Sequence, residues 1–265
     1  MGADIKALRT RIKSVSSTLQ LTKAMGLVAS SKIRRANEHM LKSRQYAAAV
    51  EETVALLAAC GECRKSPYMR KGGDKTMLVV IAGDRGLAGG YNANIFRLLR
   101  EFPDAAVTAI GKRACDRTGA AFVSSEVFSY ENALETAKTL CARFAAGEFD
   151  RLGILCTRYV SMMSQVAEAR WILPLTAEEK GDTGVIFEPD AATILDAAVP
   201  TFVAGKLFAA VMESFACEVA ARRVAMDAAG KNAQTMIDEL QLRYNRARQS
   251  AITQEITEIV AGSGA

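Results

Sequence analysis

Histidine is almost missing: His39 is the only one in 265 residues. One imidazole leaves little from which to build a Ser-His-Asp or Cys-His catalytic arrangement. Six cysteines occur, at 60, 63, 115, 141, 156 and 217, and only Cys60 and Cys63 have metal-like spacing. A zinc site needs a second such pair, and none is present. Tryptophan occurs once, and the first 35 residues, rich in Lys and Arg, contain no aromatic at all. Base stacking is therefore not on offer, no recognition motif accompanies the charge, and a nucleic-acid partner is not expected. No uninterrupted run of about 18 apolar residues appears, so no membrane span is expected. No secretory leader pattern opens the chain, so the thiols are expected to be reduced.

What remains is a globular composition, 50% hydrophobic and 24% charged, with a formal net charge of +5. The charge is uneven. Residues 1–35 hold Lys6, Arg9, Arg11, Lys13, Lys23, Lys32, Arg34 and Arg35 against Asp4 alone. Such a helix suits an acidic protein or an anionic surface, and a solvated face accounts for it equally well.

The two ends carry the clearest pattern. Ile5, Leu8, Ile12, Val15, Leu19, Thr22, Gly26 and Ala29 begin a heptad stripe that runs on to Leu57. Met226, Gly230, Ala233, Ile237, Leu240, Tyr244, Ala247 and Ala251 form a second one. This is the period of helices wound on a partner, and Gly and Ala in the seam allow close approach. The two helices are expected to run antiparallel and to leave a globular part at one end. An ordinary helical bundle is the alternative. His39 lies beside the seam and reads as a surface residue.

The middle has another rhythm. Thr76–Ala82 is a continuous apolar run, the mark of a buried parallel strand. Strands are expected at 105–110, near 121–123, at 152–159 and at 165–174. Helices are expected at 93–101, 111–118 and 130–147. Alternation of this kind predicts an α/β layer domain. Asp190 is placed as an N-cap for a helix near 191–197, with Pro200 stopping it. The domains are drawn as 1–60, 75–200 and 203–265. The fold class is α/β: a long antiparallel coiled coil of the N- and C-terminal helices with a Rossmann-like α/β domain at one end.

The turn from Gly83 to Asn92 follows a strand and precedes a helix, the context of a phosphate cradle. Neither GxGxxG nor GxxxxGK[ST] fits it, so a structural turn is the better reading. Asp84 and Arg85 are expected to pair with each other or to cap the turn. No catalytic residue, cofactor or metal is assigned. A nucleotide-binding α/β protein and a coiled-coil scaffold stand as alternatives on these grounds.

Three blocks carry a resemblance: Leu21-Thr22-Lys23-Ala24-Met25 with Lys32 to Ala36, then Gly83-Asp84-Arg85-Gly86-Leu87 with Gly89-Gly90-Tyr91-Asn92, and above all Ile237 to Leu242 followed by Tyr244-Asn245, Ala247-Arg248-Gln249 and Ile252 to Ile259. Together they resemble the gamma subunit of an F-type ATP synthase over nearly the whole chain. The resemblance implies a non-catalytic shaft within a ring of alpha and beta subunits. It implies a foot seated with the epsilon subunit on the membrane ring of c subunits, on the cytoplasmic face of a bacterial plasma membrane. It places beta contacts at Lys23, Met25 and Arg222, and further ones at Arg248, Gln249, Thr253 and Glu255. It places ring contacts at Phe187 and Glu188. The chain departs from the pattern in being short around 176–187. Gly26 stands where larger residues are usual, which predicts a locally softer helix. The inserted cysteine pair of chloroplast relatives is missing, so no thiol switch is expected.

Overall fold

The computed structural model describes residues 2–70, 72–176 and 187–263. The chain forms two compact units. One is Met1–Ser30 with Arg223–Ala265, and the other is Ser31–Arg222. Two helices contribute to both: α1, Gly2–Ala58, and α5, Ala191–Ser263.

In the first unit α1 and α5 are antiparallel. Leu19, Ala233 and Ile237 bury together with Val15 beside them, and a Cβ on Gly230 would meet Thr22 and Leu19. A Cβ on Gly26 would lie 3.0 Å from Arg223 Nη1 and 3.7 Å from Met226 Cβ. An alanine there would need only a small shift of the Arg223 guanidinium. Every seam position predicted from the heptads is buried or half-buried, from Ile5 to Ala29 and from Met226 to Ala251. The pair buries one stripe per helix and leaves the rest wet.

The second unit is built on a four-stranded sheet ordered β2-β1-β3-β4. Its strands are β1 (Thr76–Ile81), β2 (Ala106–Ile110), β3 (Arg151–Tyr159) and β4 (Gln165–Leu173). β1 is parallel to β2 and β3, while β4 returns antiparallel to β3. Both faces of β1 are buried because alternate side chains enter different cores. Leu78 and Val80 pack with Ile95 of α2 (Tyr91–Leu99) and Ala114 of α3 (Lys112–Thr118). Met77, Val79 and Ile81 belong to the larger core. That core also takes in Leu140 and Phe144 of α4 (Tyr130–Ala145), Val54 and Leu57 of α1, and a face of α5 from Leu195 to Met212. A capping box between Ser129 and Asn132 starts α4.

The structure corrects two expectations. Pro200 does not stop a helix, because α5 runs through it. The lost hydrogen bond costs about 3 kcal/mol. Leu195, Val199, Val203 and Ala204 around it are fully buried, and one buried Leu or Val contributes about 1.5–3 kcal/mol. Asp196, whose carbonyl loses its donor, is exposed to water. Residues 121–123 form no strand; Val123 only accepts the Gly111 N–H at 2.7 Å. α5 also holds an 18-residue window of mean hydropathy 1.6, and over half of it is buried in the protein. It is apolar because it is a core helix.

Candidate functional site

The predicted contact residues of the first unit share its wet surface. Lys23 on α1 is exposed and Met25 is half-buried. Lys23 borders a groove of about 430 Å³ floored by Gly26 and Gly230, with Arg223, Lys231 and Asp227 on its walls. Arg248, Gln249, Thr253 and Glu255 are exposed along α5. The Thr253 hydroxyl donates to the Gln249 carbonyl at 2.9 Å, so it is tied to its own helix.

One feature of this unit is not explained by its own packing. The pairing of Leu19, Thr22 and Gly26 with Ala233, Gly230 and Met226 fixes an antiparallel register. Continued to Gly2, that register ends opposite about residue 250. From Ile252 to Ser263 every residue of α5 is exposed. Ile252, Ile256, Ile259 and Val260 fall on one side of the helix at 45%, 56%, 70% and 64% exposure. An unsupported helix of about 12 residues is marginal in water. The stripe is shaped for a cover that this chain does not supply among its described residues.

In the second unit the Gly-rich turn is tied to its own neighbours. Asp84 does not pair with Arg85. Its Oδ1 accepts from the Lys112 N–H at 2.9 Å and the Ser125 N–H at 3.1 Å. Its Oδ2 accepts from Ser124 Oγ at 2.6 Å and the Glu126 N–H at 3.1 Å. Asp84 thus caps α3 and ties down the loop before α4, while Arg85 pairs with Glu126 at 3.2 Å. Burial alone would raise the Asp84 pKa; the hydrogen bonds from Ser124 and the three N–H groups outweigh it and hold it low. The Gly83 N–H donates to Asn92 Oδ1 at 2.9 Å. A Cβ on Gly83 would lie 2.7 Å from Glu218 Cδ, so a larger residue there would displace the Glu218 carboxylate. The turn thus joins α3, the loop before α4 and α5, a structural role.

Arg222 is turned inward. Only 13% of its side chain is exposed. It pairs with Glu218 and donates from Nη2 to the Gly86 carbonyl at 3.2 Å. Burial holds the Glu218 pKa above its ordinary value even with Arg222 as partner. Phe187 is half-buried against the larger core, and Glu188 is exposed next to it. Asp190 caps α5 by accepting from the Thr193 N–H at 2.8 Å. The short 176–187 segment and the last residues of the tip, 264 and 265, lie largely outside the described residues. Burial pushes the Cys63 thiol up to about 11 and those of Cys141 and Cys156 up to about 12, leaving them unreactive.

Sequence reasoning passes over the most charged place in this unit. Glu213, with 1% of its side chain exposed, accepts from the Tyr159 N–H at 2.8 Å and from Arg170 Nη1 at 2.9 Å. Arg44 of α1 completes its set. The available signal is a lone carboxylate in the apolar run AAVMESFAC. Burial pushes the Glu213 pKa up, and the bonds from Arg170, Arg44 and the Tyr159 N–H hold it below the ordinary range. Stabilisation by Glu213 and Asp84 is therefore complete above their unfolded pKa of about 4 and is lost as pH falls through the lowered native values. Glu218 has the opposite sign, weakening the fold at neutral pH and relieving it on protonation. Below about pH 4 the Glu218 contribution no longer changes, so the melting temperature should drop as pH is taken from about 4 toward about 3. A flat or rising melting temperature over that range would contradict this assignment.

Comparison with known proteins fits this geometry. The family model described as ATP synthase matches residues 4–265. The ATP synthase gamma chain of Desulforamulus reducens is 38% identical over 280 residues, covering 99% of each chain. Among solved structures, a chain of the Euglena gracilis mitochondrial ATP synthase OSCP/F1/c-ring assembly has a TM-score of 0.72 at 19% identity, covering 100% of this chain and 95% of its own. A chain of the rotor of the same synthase has a TM-score of 0.65 at 18% identity, covering 95% and 100%. At those identities the structural likeness speaks for the fold.

Proposed function

The chain belongs to the ATP synthase gamma-chain family, a non-catalytic stalk subunit, and from that premise we propose how its parts work. The helix pair of the first unit is the shaft inside a ring of alpha and beta subunits. The second unit is the foot, seated with an epsilon subunit on a membrane ring of c subunits. Ion flow turns ring and shaft together, and the unlike faces of the shaft bias the nucleotide sites of the beta subunits in turn. The complex lies on the cytoplasmic face of a bacterial plasma membrane, and the chain is peripheral to it.

The observation that carries this reading is the uncovered stripe of Ile252, Ile256, Ile259 and Val260. Each such side chain contributes about 1.5–3 kcal/mol when fully covered. A sleeve in the catalytic head would supply the cover without a specific grip, and so permit turning. Lys23, Met25, Arg248, Gln249, Thr253 and Glu255 are the proposed beta contacts. The exposed basic residues among them give attraction with little geometric demand. Arg222 acts from within, by holding the Gly86 turn against α5. Phe187 and Glu188 are the proposed ring contacts, with Glu188 outward and Phe187 anchoring it.

Affinity purification of the tagged chain from its own cells, with mass identification of the co-purifying proteins, tests the reading. Alpha, beta, epsilon and c subunits are expected. A chain that arrives without them and binds ATP or a dinucleotide at micromolar strength in calorimetry would replace this reading with the nucleotide-binding one.

A further inference from the structure

β3 outruns its neighbour. Its pairing with β1 ends at Val80 opposite Leu155, yet β3 continues to Tyr159. Beyond that point α5 stands in for the missing strand. The Thr157 N–H donates to Ser214 Oγ at 3.2 Å, and the Tyr159 N–H donates to Glu213 Oε1 at 2.8 Å. Cys217 Sγ donates to the Thr157 carbonyl at 3.4 Å. Side chains of one helix turn thus complete a strand edge.

The ion pairs extend the same connection. Arg170 of β4 reaches Glu213 from Nη1 and Glu168 from Nε at 2.7 Å, and Arg158 of β3 reaches Glu168 at 2.6 Å. Arg44 brings α1 into the set. One continuous charged network therefore links β3, β4, α5 and α1. Elsewhere these helices meet the sheet through apolar side chains. Apolar contact resists separation but is non-directional and yields to sliding. Charge-assisted hydrogen bonds fix direction and register.

We infer that this network, centred on Glu213 and continued by Ser214 and Cys217, is the joint that carries twisting load between the sheet and the parts of α1 and α5 packed on it within the second unit. Glu213 is its positioning residue. It rests on the rotor reading, because only a turning subunit loads such a joint in shear.

The test uses the intact ATP synthase containing this chain, reconstituted in phospholipid vesicles. ATP hydrolysis and ATP-driven ion uptake are measured side by side for wild type, Glu213→Gln, Ser214→Ala and Glu51→Gln. Glu51 borders the same cavity as Glu213, Arg44 and Arg170, but it pairs with Lys206 between α1 and α5 and bonds to neither strand, and it serves as the control. The expected result for Glu213→Gln is hydrolysis at the wild-type rate with ions moved per ATP reduced roughly threefold. Ser214→Ala should shift the same ratio by less, and Glu51→Gln should leave it alone. Hydrolysis and uptake falling in proportion would reduce Glu213 to a stability residue and overturn the inference, as would an unchanged ratio in both joint variants. Should Glu213→Gln fail to assemble, Ser214→Ala decides. A wild-type complex that hydrolyses ATP without moving ions would instead sink the rotor reading itself.

Discussion

Replacing Phe144 by alanine should lower the stability of the second unit by about 3–5 kcal/mol. Phe144 is fully buried at the end of α4. Its ring stacks on Tyr68 at 6.1 Å and meets Phe149 edge-on at 5.6 Å. Arg70 lies over the same ring at 5.8 Å and donates to the Phe144 carbonyl at 3.2 Å. The side chain thus ties the turn after α1, the end of α4 and the approach to β3 into one core. Alanine leaves a cavity that the flanking rings and an anchored guanidinium cannot collapse to fill. A protein of this size loses about 2–4 °C per kcal/mol, so the melting temperature should fall by about 10 °C. A shift under about 3 °C in a scan of the purified chain would show that the core tolerates the loss.

Deleting the chain from Thr253 onward should have the reverse profile. Every described residue removed is exposed, so the melting temperature of the isolated chain should stay within the small range of surface changes, about 0.5 kcal/mol. In the assembled synthase the same deletion removes Thr253, Glu255 and most of the apolar stripe. ATP synthesis should then fall roughly fivefold or more, the usual scale of a lost coupling interaction. Wild-type synthesis by the truncated complex would remove these residues from the coupling surface. The two variants separate what holds the chain together from what it does to its partners.

The helices are readable because a heptad stripe needs only spacing. Leu19, Gly230 and Ala233 sit in the seam where the pattern puts them. The strands are readable for a similar reason, since TMLVVI is apolar on both faces and only a sheet covered on both sides buries such a run. Pro200 misleads because its local backbone cost says nothing of the core that surrounds it. Asp84 misleads because its partners, Ser124 to Glu126, lie some 40 residues on, and no local rule reaches that far. Glu213 is hidden for the same reason: its meaning comes from Arg44, far back along the chain, and from Arg170 on a strand. The contact residues are legible only through resemblance. Exposure at Arg248 or Glu255 states that a side chain is available and leaves its partner to be found.

The central claim is that this chain turns inside its complex, and rotation can be watched directly. The catalytic head, purified with this chain in place, is fixed to glass, and a bead is attached to a cysteine introduced at the exposed Glu188. On addition of ATP the bead should turn stepwise in one direction, and it should stop when ATP is withdrawn. A bead that stays still while the same particles hydrolyse ATP would contradict the claim.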